Sequence, residues 1–238
     1  EADTAGSAKF ISDLKNLEDA AIASELAAKK LEAYYVIEFG AINIGAVKWE
    51  IEIDNDTYVT SISLKDKGLF SGLYRFTGEY LSEGKILKNE FISTKYKQIW
   101  KTKKKKKEVE ISFDKAMVFA LVLKPKEKEI PRVDYLKIQG LVDPLSSFLN
   151  ILLNSNNNFK TIDGRRLYKM SLAFEKTDGN IISKKIYLKD YLNIWADHRR
   201  NDLEFIIIEQ DLSKEGGFFF PNKIKIKNKG LVFKLTKV

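Results

Sequence analysis

The chain has 238 residues, 44% hydrophobic and 12% aromatic, so it can bury a sizeable core and is not expected to be disordered. It has no cysteine and a single histidine, His198, which excludes disulfides, thiolate nucleophiles, cysteine zinc sites and multi-histidine metal sites. The net charge of +8 rests on 35 lysines and 6 arginines, which we interpret mainly as background composition. The alternative is attraction to an anionic partner such as nucleic acid, phospholipid headgroups or lipopolysaccharide.

The N-terminal 33 residues differ from the rest of the chain. They contain seven acidic residues and four lysines, a net charge of −3, which leaves +11 for residues 34–238. Residues 10–33 lack glycine and proline and are rich in helix formers, so they predict a helix. Its apolar stripe is thin, which favours a helical extension, linker or fusion segment, with a partner-binding helix as the alternative. We therefore expect two parts: residues 1–33, and a single mainly-β domain at 34–238.

No targeting or membrane segment is evident. No apolar run approaches the roughly 18–20 residues of a membrane-spanning helix, so no transmembrane span is predicted. No cleavable signal is visible. Because the chain begins with Glu1, we expect a processed form or a fragment, and the lack of a signal peptide is uninformative.

From Tyr34 onward the apolar residues recur with a period of two, which indicates β-strands. In residues 47–53 the apolar side chains fall on one face and the charged ones on the other. The other strand candidates are 35–39, 57–64, 73–80, 91–100, 108–113, 117–123, 167–175, 181–188, 192–195, 204–209, 223–227 and 231–235. Short strands at regular spacing predict a mainly β fold, a curved antiparallel sheet forming a spiral roll or half-barrel.

One apolar segment, residues 143–153, interrupts this alternation and predicts a central helix. Asp143 suits the N-cap, and Pro144 suits the first helical position, where its missing N–H needs no partner. Leucine and phenylalanine follow at spacings of three and four on one face. We interpret the segment as a helix that fills the core, with a helix that lines an apolar cavity as the alternative.

Several short motifs follow one another in an order that resembles a known family. A strand pair ends in Gly40 and Gly45, and the motifs at residues 68–74 (GLFSGLY), 143–148 (DPLSSF) and 163–168 (DGRRLY) come after it. This order is similar to that of the bacterial exported proteins grouped as domain of unknown function 3108, from residue 34 to the C-terminus. The resemblance implies a roll-like antiparallel sheet and a periplasmic or cell-envelope location, and it implies no known reaction.

The candidates for catalysis are few. His198 lies among charges in residues 197–200 and is the one candidate general base, but no Gly-x-Ser-x-Gly elbow accompanies it. We interpret this stretch as a solvated turn or local ion pair, although an enzyme with His198 in its site stays open. No metal-ligand spacing and no phosphate-binding glycine loop is present, so no cofactor is predicted.

Two groups of cations are candidates for binding anions. The first is the run Lys103, Lys104, Lys105, Lys106 and Lys107, which lies between two strand patterns and predicts a solvated hairpin tip or an anion-binding finger. The second is Arg165 and Arg166, which follow an Asp163–Gly164 turn and have the chemistry to clamp a carboxylate or phosphate. Nucleic-acid binding is less favoured, because arginines and exposed aromatic residues do not share a strand face.

Residues 218–220 are three consecutive phenylalanines, which cannot all face one core if they form a regular strand. At least one is then expected to meet a second apolar surface, unless a bulge or twisted edge intervenes.

The pattern as a whole favours a non-enzymatic binding domain whose concave apolar face takes a lipid or other apolar ligand. Trp49, Trp100, Phe148 and Phe219 are the candidate contacts, chosen by strand parity and size. The alternatives are a scaffolding domain that binds another envelope protein and, less favoured, a basic nucleic-acid-binding protein.

Overall fold

The computed structural model of the protein describes residues 29–66, 76–153, 158–195, 203–214 and 219–238. These residues form fourteen strands, one α-helix and a short 3-10 turn at Tyr135–Lys137. The first seven strands are β1 (Lys29–Phe39), β2 (Ile42–Asp54), β3 (Thr57–Asp66), β4 (Phe76–Leu87), β5 (Glu90–Thr102), β6 (Lys106–Asp114) and β7 (Met117–Lys124). The rest are β8 (Leu141–Val142), helix α1 (Pro144–Leu153), β9 (Asn158–Ile162), β10 (Arg166–Asp178), β11 (Ile181–Asn193), β12 (Leu203–Asp211), β13 (Lys223–Asn228) and β14 (Leu231–Lys237).

All fourteen strands belong to one sheet, in the order β7-β6-β5-β4-β3-β2-β1-β14-β13-β12-β11-β10-β9-β8. Neighbouring strands are antiparallel, except for the parallel pair β8 and β9. The strand order therefore begins with β1 near the middle of the sheet, continues outward through one half to β7, and returns inward through the other half from β8 to β14. The predicted mainly β fold with a curved antiparallel sheet is confirmed.

The strands form because their side chains alternate between core and solvent. On β2, Val47, Trp49, Ile51 and Ile53 are all at most 5% exposed, as their shared parity predicts. The opposite face carries charges, and Lys48 there contacts Glu32 at 3.0 Å and Glu50 at 2.9 Å. The same alternation continues along β5 and β6, so one face of the sheet is buried, and we call this face the concave side.

Helix α1 lies against the concave side of the sheet, with contacts to β4, β5, β9 and β10. Every residue from Leu145 to Leu152 is buried, which is the pattern of a helix enclosed by protein on all sides. The predicted central helix and its start after Asp143 are thus confirmed. Helix α1 has ten residues, and no helix within the described ranges has the length and apolarity needed to cross a bilayer.

The two ends of the sheet approach each other and give it a nearly closed, barrel-like shape. The backbone N–H of Leu141 in β8 donates to the carbonyl of Ala116, in the turn between β6 and β7, at 2.9 Å. Nearby, the predicted turn at Gly164 packs against β6. A Cβ atom added to Gly164 would lie 2.3 Å from the Val109 side chain. With φ at +89°, this position requires glycine for both its backbone conformation and its space.

The structure differs from the predicted elements in three places. Residues 29–33 are the start of β1 and not the end of a helix, because Leu31 and Ala33 are needed in the core opposite β2. Residues 10–28 lie outside the described part of the chain. The predicted strands 181–188 and 192–195 are one strand, β11, which a bulge near Asp190 (φ 57°) shifts out of register. The short strands β8 and β9 were not predicted, because two and five residues carry too little periodicity.

Candidate functional site

A groove with a volume of about 940 Å³ opens at the surface where β11 separates from β12. The described pairing of these strands ends at Tyr187 and Phe205, and β11 then continues to Asn193. The groove is lined by side chains of both strands together with neighbours from β13 and from the segment after β7: Arg132, Val133, Lys185, Tyr187, Leu188, Lys189, Asp190, Tyr191, Leu192, Asn193, Leu203, Glu204, Phe205 and Lys227. The volume is within the range of small-molecule sites, about 300–1,000 Å³.

The lining of the groove is positively charged. Its two acids are already paired: Glu204 contacts Lys227 at 2.7 Å, and Asp190 contacts Lys169, just outside the groove, at 2.8 Å. These contacts lower the pKa of both carboxyl groups, so both are ionised at neutral pH. Three further cations line the groove, Arg132, Lys185 and Lys189, and of these Lys189 lies close enough to Asp190 to help lower its pKa. The groove therefore presents uncompensated positive charge.

Aromatic and aliphatic side chains lie beside these cations. The Lys185 ammonium is 4.9 Å from the ring centre of Tyr187 and 5.1 Å from that of Phe205. Tyr187 is 40% exposed and Leu192 is 49% exposed, so the groove offers apolar surface to a ligand. The combination of exposed apolar surface with fixed cations suits a ligand that has both an apolar part and a negative charge.

A second polar cluster is buried at the start of α1. The Asp143 carboxylate accepts hydrogen bonds from the hydroxyls of Ser82 at 2.8 Å, Ser93 at 2.5 Å and Ser146 at 2.5 Å. It also accepts the backbone N–H groups of Leu145 and Ser146, and the Tyr58 hydroxyl contacts Ser146. We call the five side chains of Tyr58, Ser82, Ser93, Asp143 and Ser146 the Asp143 cluster. All five are at most 3% exposed, so the cluster anchors the helix and is closed to substrates.

Two further anchors hold the rest of the helix. The Asn150 side chain accepts the backbone N–H of Phe91 at 2.8 Å and donates to the carbonyl of the same residue at 2.9 Å, which ties α1 to β5. At the helix C-terminus the Lys184 ammonium donates to the carbonyls of Ile151 at 3.0 Å and Leu152 at 2.8 Å. A buried cation at the negative end of the helix dipole is favourable. Strands from both halves of the sheet therefore fix the position of α1.

The Asp143 carboxyl predicts a pH dependence. Burial raises its pKa, against the opposing effect of the serine hydroxyls. For a raised pKa, the stabilising contribution is fully present below the unfolded-state pKa and is lost as pH rises through the folded-state pKa. We therefore expect the wild type to gain stability relative to Asp143→Asn as pH falls. Urea unfolding of both proteins at a series of acidic pH values measures this, and a pH-independent difference would contradict it.

The structure brings some of the sequence-predicted ligand contacts together in the core. Trp49 and Phe148 have ring centres 5.8 Å apart, and Trp49 also contacts Phe220 edge-on at 5.4 Å. Phe219 is fully buried in the same core. Trp100 lies elsewhere on the sheet, half-buried between Phe76 and Tyr80. These aromatic groups and α1 occupy the concave side, so the groove offers more room for a ligand.

Phe219 and Phe220 are both buried although they are adjacent in sequence. This differs from the expectation for a regular strand, because the two residues precede β13 in an irregular turn that lets both point inward. The Tyr35 hydroxyl donates to the carbonyl of Pro221 at 2.9 Å and holds this turn against β1. Phe218 lies outside the described residues.

None of the predicted anion contacts lines the groove, although the Arg166 guanidinium lies 5.6 Å from the ring centre of Tyr191, which does. Lys103–Lys107 form the exposed tip of the β5–β6 hairpin, where Lys106 contacts Glu108 at 2.7 Å. Arg165 bonds to Glu127, and Arg166 contacts Asp163 at 2.8 Å. The hairpin tip is confirmed, and anion binding by these residues stays a prediction. Each arginine has an acidic partner, which offsets part of its attraction for a free anion.

His198 lies outside the described residues. Within the ranges that the structure describes, no three acidic or histidine side chains gather in a way that could hold a metal ion.

The groove residues were missed in the sequence, although one signal was present. Along β11 the outward positions read Lys185, Tyr187 and Lys189, which places a large aromatic side chain between two cations on the polar face of a strand. An aromatic group on a polar face has no place in the core and is a candidate binding residue. The partner residues on β12 and after β7 could not be assigned, because sequence does not reveal where the two strands diverge.

Comparison with known proteins gives a family and a fold. The family described as "Protein of unknown function (DUF3108)" matches residues 34–190. The crystal structure of a β-barrel-like protein of domain of unknown function DUF1849 from Brucella abortus is similar, with a TM-score of 0.52 and 10% sequence identity over 89% of this chain and 96% of that one. No curated protein matches the chain. Since the family match spans well over half of the sequence and contains the motifs of the β1–β2 turn, α1 and the Gly164 turn, the chain belongs to the DUF3108 family of proteins of unknown function.

Proposed function

We propose that this protein is a non-enzymatic binding domain of the periplasm or cell envelope, and that its groove takes an anionic amphiphile. The observation that carries the proposal is the lining of the groove, where exposed Tyr187 and Leu192 lie beside the cations Lys185 and Lys189. An amphiphile matches both features at once: its chain covers the apolar side chains and its negative head meets the cations. The support for the location is the resemblance to exported bacterial proteins.

Affinity for such a ligand would come from two sources. Removing apolar surface from water contributes about 25 cal/mol per Å². The headgroup adds charge-assisted hydrogen bonds from Lys185, Lys189 and the Arg132 guanidinium, whose planar shape suits two oxygens of a phosphate or carboxylate. Because Glu204 and Asp190 are engaged by other lysines, they repel the headgroup less than free carboxylates would.

The test is calorimetric titration with two lysolipids that share one acyl chain, both below their micelle concentrations. We expect lysophosphatidylglycerol to bind at least about tenfold more tightly than zwitterionic lysophosphatidylcholine, because its net charge is negative. The double variant Lys185→Gln, Lys189→Gln should lose about tenfold in affinity for the anionic lipid, and Leu192→Ser should weaken both lipids.

Lys160→Gln is the matched control, because Lys160 is exposed on β9 and does not line the groove. It should bind like the wild type. Equal affinity for the two lysolipids would show that the cations do not select an anionic headgroup. An unchanged affinity in the double variant would show that the ligand binds outside the groove. Absence of binding by the folded wild type would reject the proposal and favour a scaffolding role with a protein partner.

A further inference from the structure

Two adjacent hairpins end at the same rim of the barrel. The β1–β2 hairpin turns at Gly40, and the β13–β14 hairpin turns at Gly230. Because β1 pairs with β14, Phe39 lies directly opposite Phe233, and the two rings are 5.6 Å apart. On the other side of β1, Phe39 pairs with Ile42. The two turns therefore form one continuous edge of the molecule.

This edge carries exposed apolar side chains beside its turn residues, which include the exposed Lys229. Four of its large side chains are exposed: Phe39 by 39%, Ile42 by 43%, Leu231 by 48% and Val232 by 36%. We call these four residues the tip surface. Exposed apolar groups gathered at one place mark an interaction site more often than single scattered ones do.

Lysines lie on the outer face just behind the tip surface. Lys225 and Lys234 are directly opposite each other on β13 and β14, and both are exposed. Like charges in directly opposed positions destabilise a sheet. Among the described residues neither lysine forms an ion pair, although Glu38 of β1 lies opposite Lys234 on the other side of β14. A lipid phosphate near both lysines would offset the part of this repulsion that Glu38 leaves. Lys227, on the same face, is closer to the tip and lies opposite Val232.

The size and charge of this edge decide between two kinds of partner. Four partly exposed side chains offer on the order of a few hundred Å², whereas a stable protein dimer buries about 800 Å² on each partner. A lipid bilayer needs no such area, because apolar tips enter the boundary between headgroups and acyl chains while lysines reach the phosphates. In the protein the apolar side chains lie at the tip and the lysines lie behind them, which is the order in which the acyl chains and the phosphates of a bilayer would be met.

We propose that the tip surface docks the protein on an anionic membrane. Phe39, Ile42, Leu231 and Val232 enter the headgroup–acyl boundary, and Lys225 and Lys234 bind the lipid phosphates. The contact is peripheral and reversible, since a few partly inserted side chains do not give the hold of a spanning segment. None of the four residues of the tip surface lines the groove, although Lys227 of the groove lies opposite Val232. The proposed contact does not depend on whether the groove binds a ligand.

The experiment is co-sedimentation of the full chain with vesicles of phosphatidylglycerol and phosphatidylcholine in equal parts, against vesicles of phosphatidylcholine alone. We expect binding to the mixed vesicles that falls with added salt, and much weaker binding to the neutral ones. The variant Phe39→Ser, Leu231→Ser should lose about tenfold in partitioning. The variant Lys225→Gln, Lys234→Gln should lose about thirtyfold, at about fivefold per lysine.

Two controls separate this surface from others. Phe119→Ser removes a 64% exposed aromatic group on β7, away from the tips, and should bind vesicles like the wild type. Lys185→Gln, Lys189→Gln should also retain vesicle binding, which keeps failure of the groove distinct from failure of the tips. If the Phe39 variant does not fold by circular dichroism, Ile42→Ser, Val232→Ser serves instead.

The proposal would be overturned if the wild-type protein did not bind anionic vesicles. It would also be overturned if the tip variants bound them as tightly as the wild type. A loss of vesicle binding in Phe119→Ser equal to that in the tip variants would overturn it too, because nonspecific adsorption through exposed apolar side chains would then explain the binding. So would a wild-type dimer in analytical ultracentrifugation that the tip variant dissociates, since a second copy would then occupy the surface.

Discussion

Replacing Asp143 with alanine is expected to lower the free energy of unfolding by about 3–5 kcal/mol. The change removes the N-cap of α1 and the acceptor shared by Ser82, Ser93 and Ser146. Three hydroxyls and two backbone N–H groups are then left in a site that water does not reach. Buried donors without acceptors are the main source of the loss.

Urea denaturation followed by circular dichroism measures this change, and two variants control it. Asp143→Asn keeps one carbonyl oxygen for the backbone N–H groups of Leu145 and Ser146, so it should lose less stability than alanine. Ser82→Ala removes one donor and leaves the cap in place, with an expected loss of about 1 kcal/mol. An alanine variant at position 143 as stable as Ser82→Ala would show that the helix is held by apolar packing alone.

Trp49→Ala should also destabilise the protein by about 3–5 kcal/mol. Trp49 is 2% exposed, packs against Phe148 and Phe220, and donates its indole N–H to the Thr60 hydroxyl at 2.9 Å. Truncation leaves a cavity at the contact between β2, α1 and the turn before β13, and it leaves that hydroxyl without its donor.

The Trp49 variant separates a core role from a ligand-binding role. Thermal unfolding should show the loss, while lysolipid affinity at a temperature where the variant is folded should equal that of the wild type. Trp100→Ala is the comparison, because Trp100 is partly exposed and should lose less stability. If Trp49→Ala had near-normal stability but lost its affinity for the lysolipid, the ligand would bind on the concave side of the sheet and not in the groove.

The sequence predicts those parts of the fold that depend on local patterns. Asp143 and Pro144 mark the start of α1 because cap chemistry involves only neighbouring residues. The apolar face of β2 follows from strict alternation, and the Lys103–Lys107 tip follows from two flanking strand patterns. The family resemblance was carried by the turn and helix motifs, which fall within the matched range.

The parts that the sequence does not reveal depend on distant residues. Ser82 and Ser93 reach Asp143 from strands formed 61 and 50 residues earlier, and no local pattern marks two serines as partners of one carboxylate. Lys184 likewise gives no sign that it is buried, because lysine at a strand position usually points to water. The groove arises from a divergence of strands, which single-sequence periodicity does not encode.

The order of strands has a consequence for how the chain folds. Most pairings join consecutive strands, so each hairpin closes a short loop at a small loss of chain entropy. The pairing of β1 with β14 differs, because the other twelve strands lie between the two in sequence and the pair cannot form until β14 exists. Until then β1 presents an open edge to which other chains can add. We expect that this edge stays exposed during synthesis until residues 231–237 follow, which makes β14 the strand that protects the nascent sheet from aggregation.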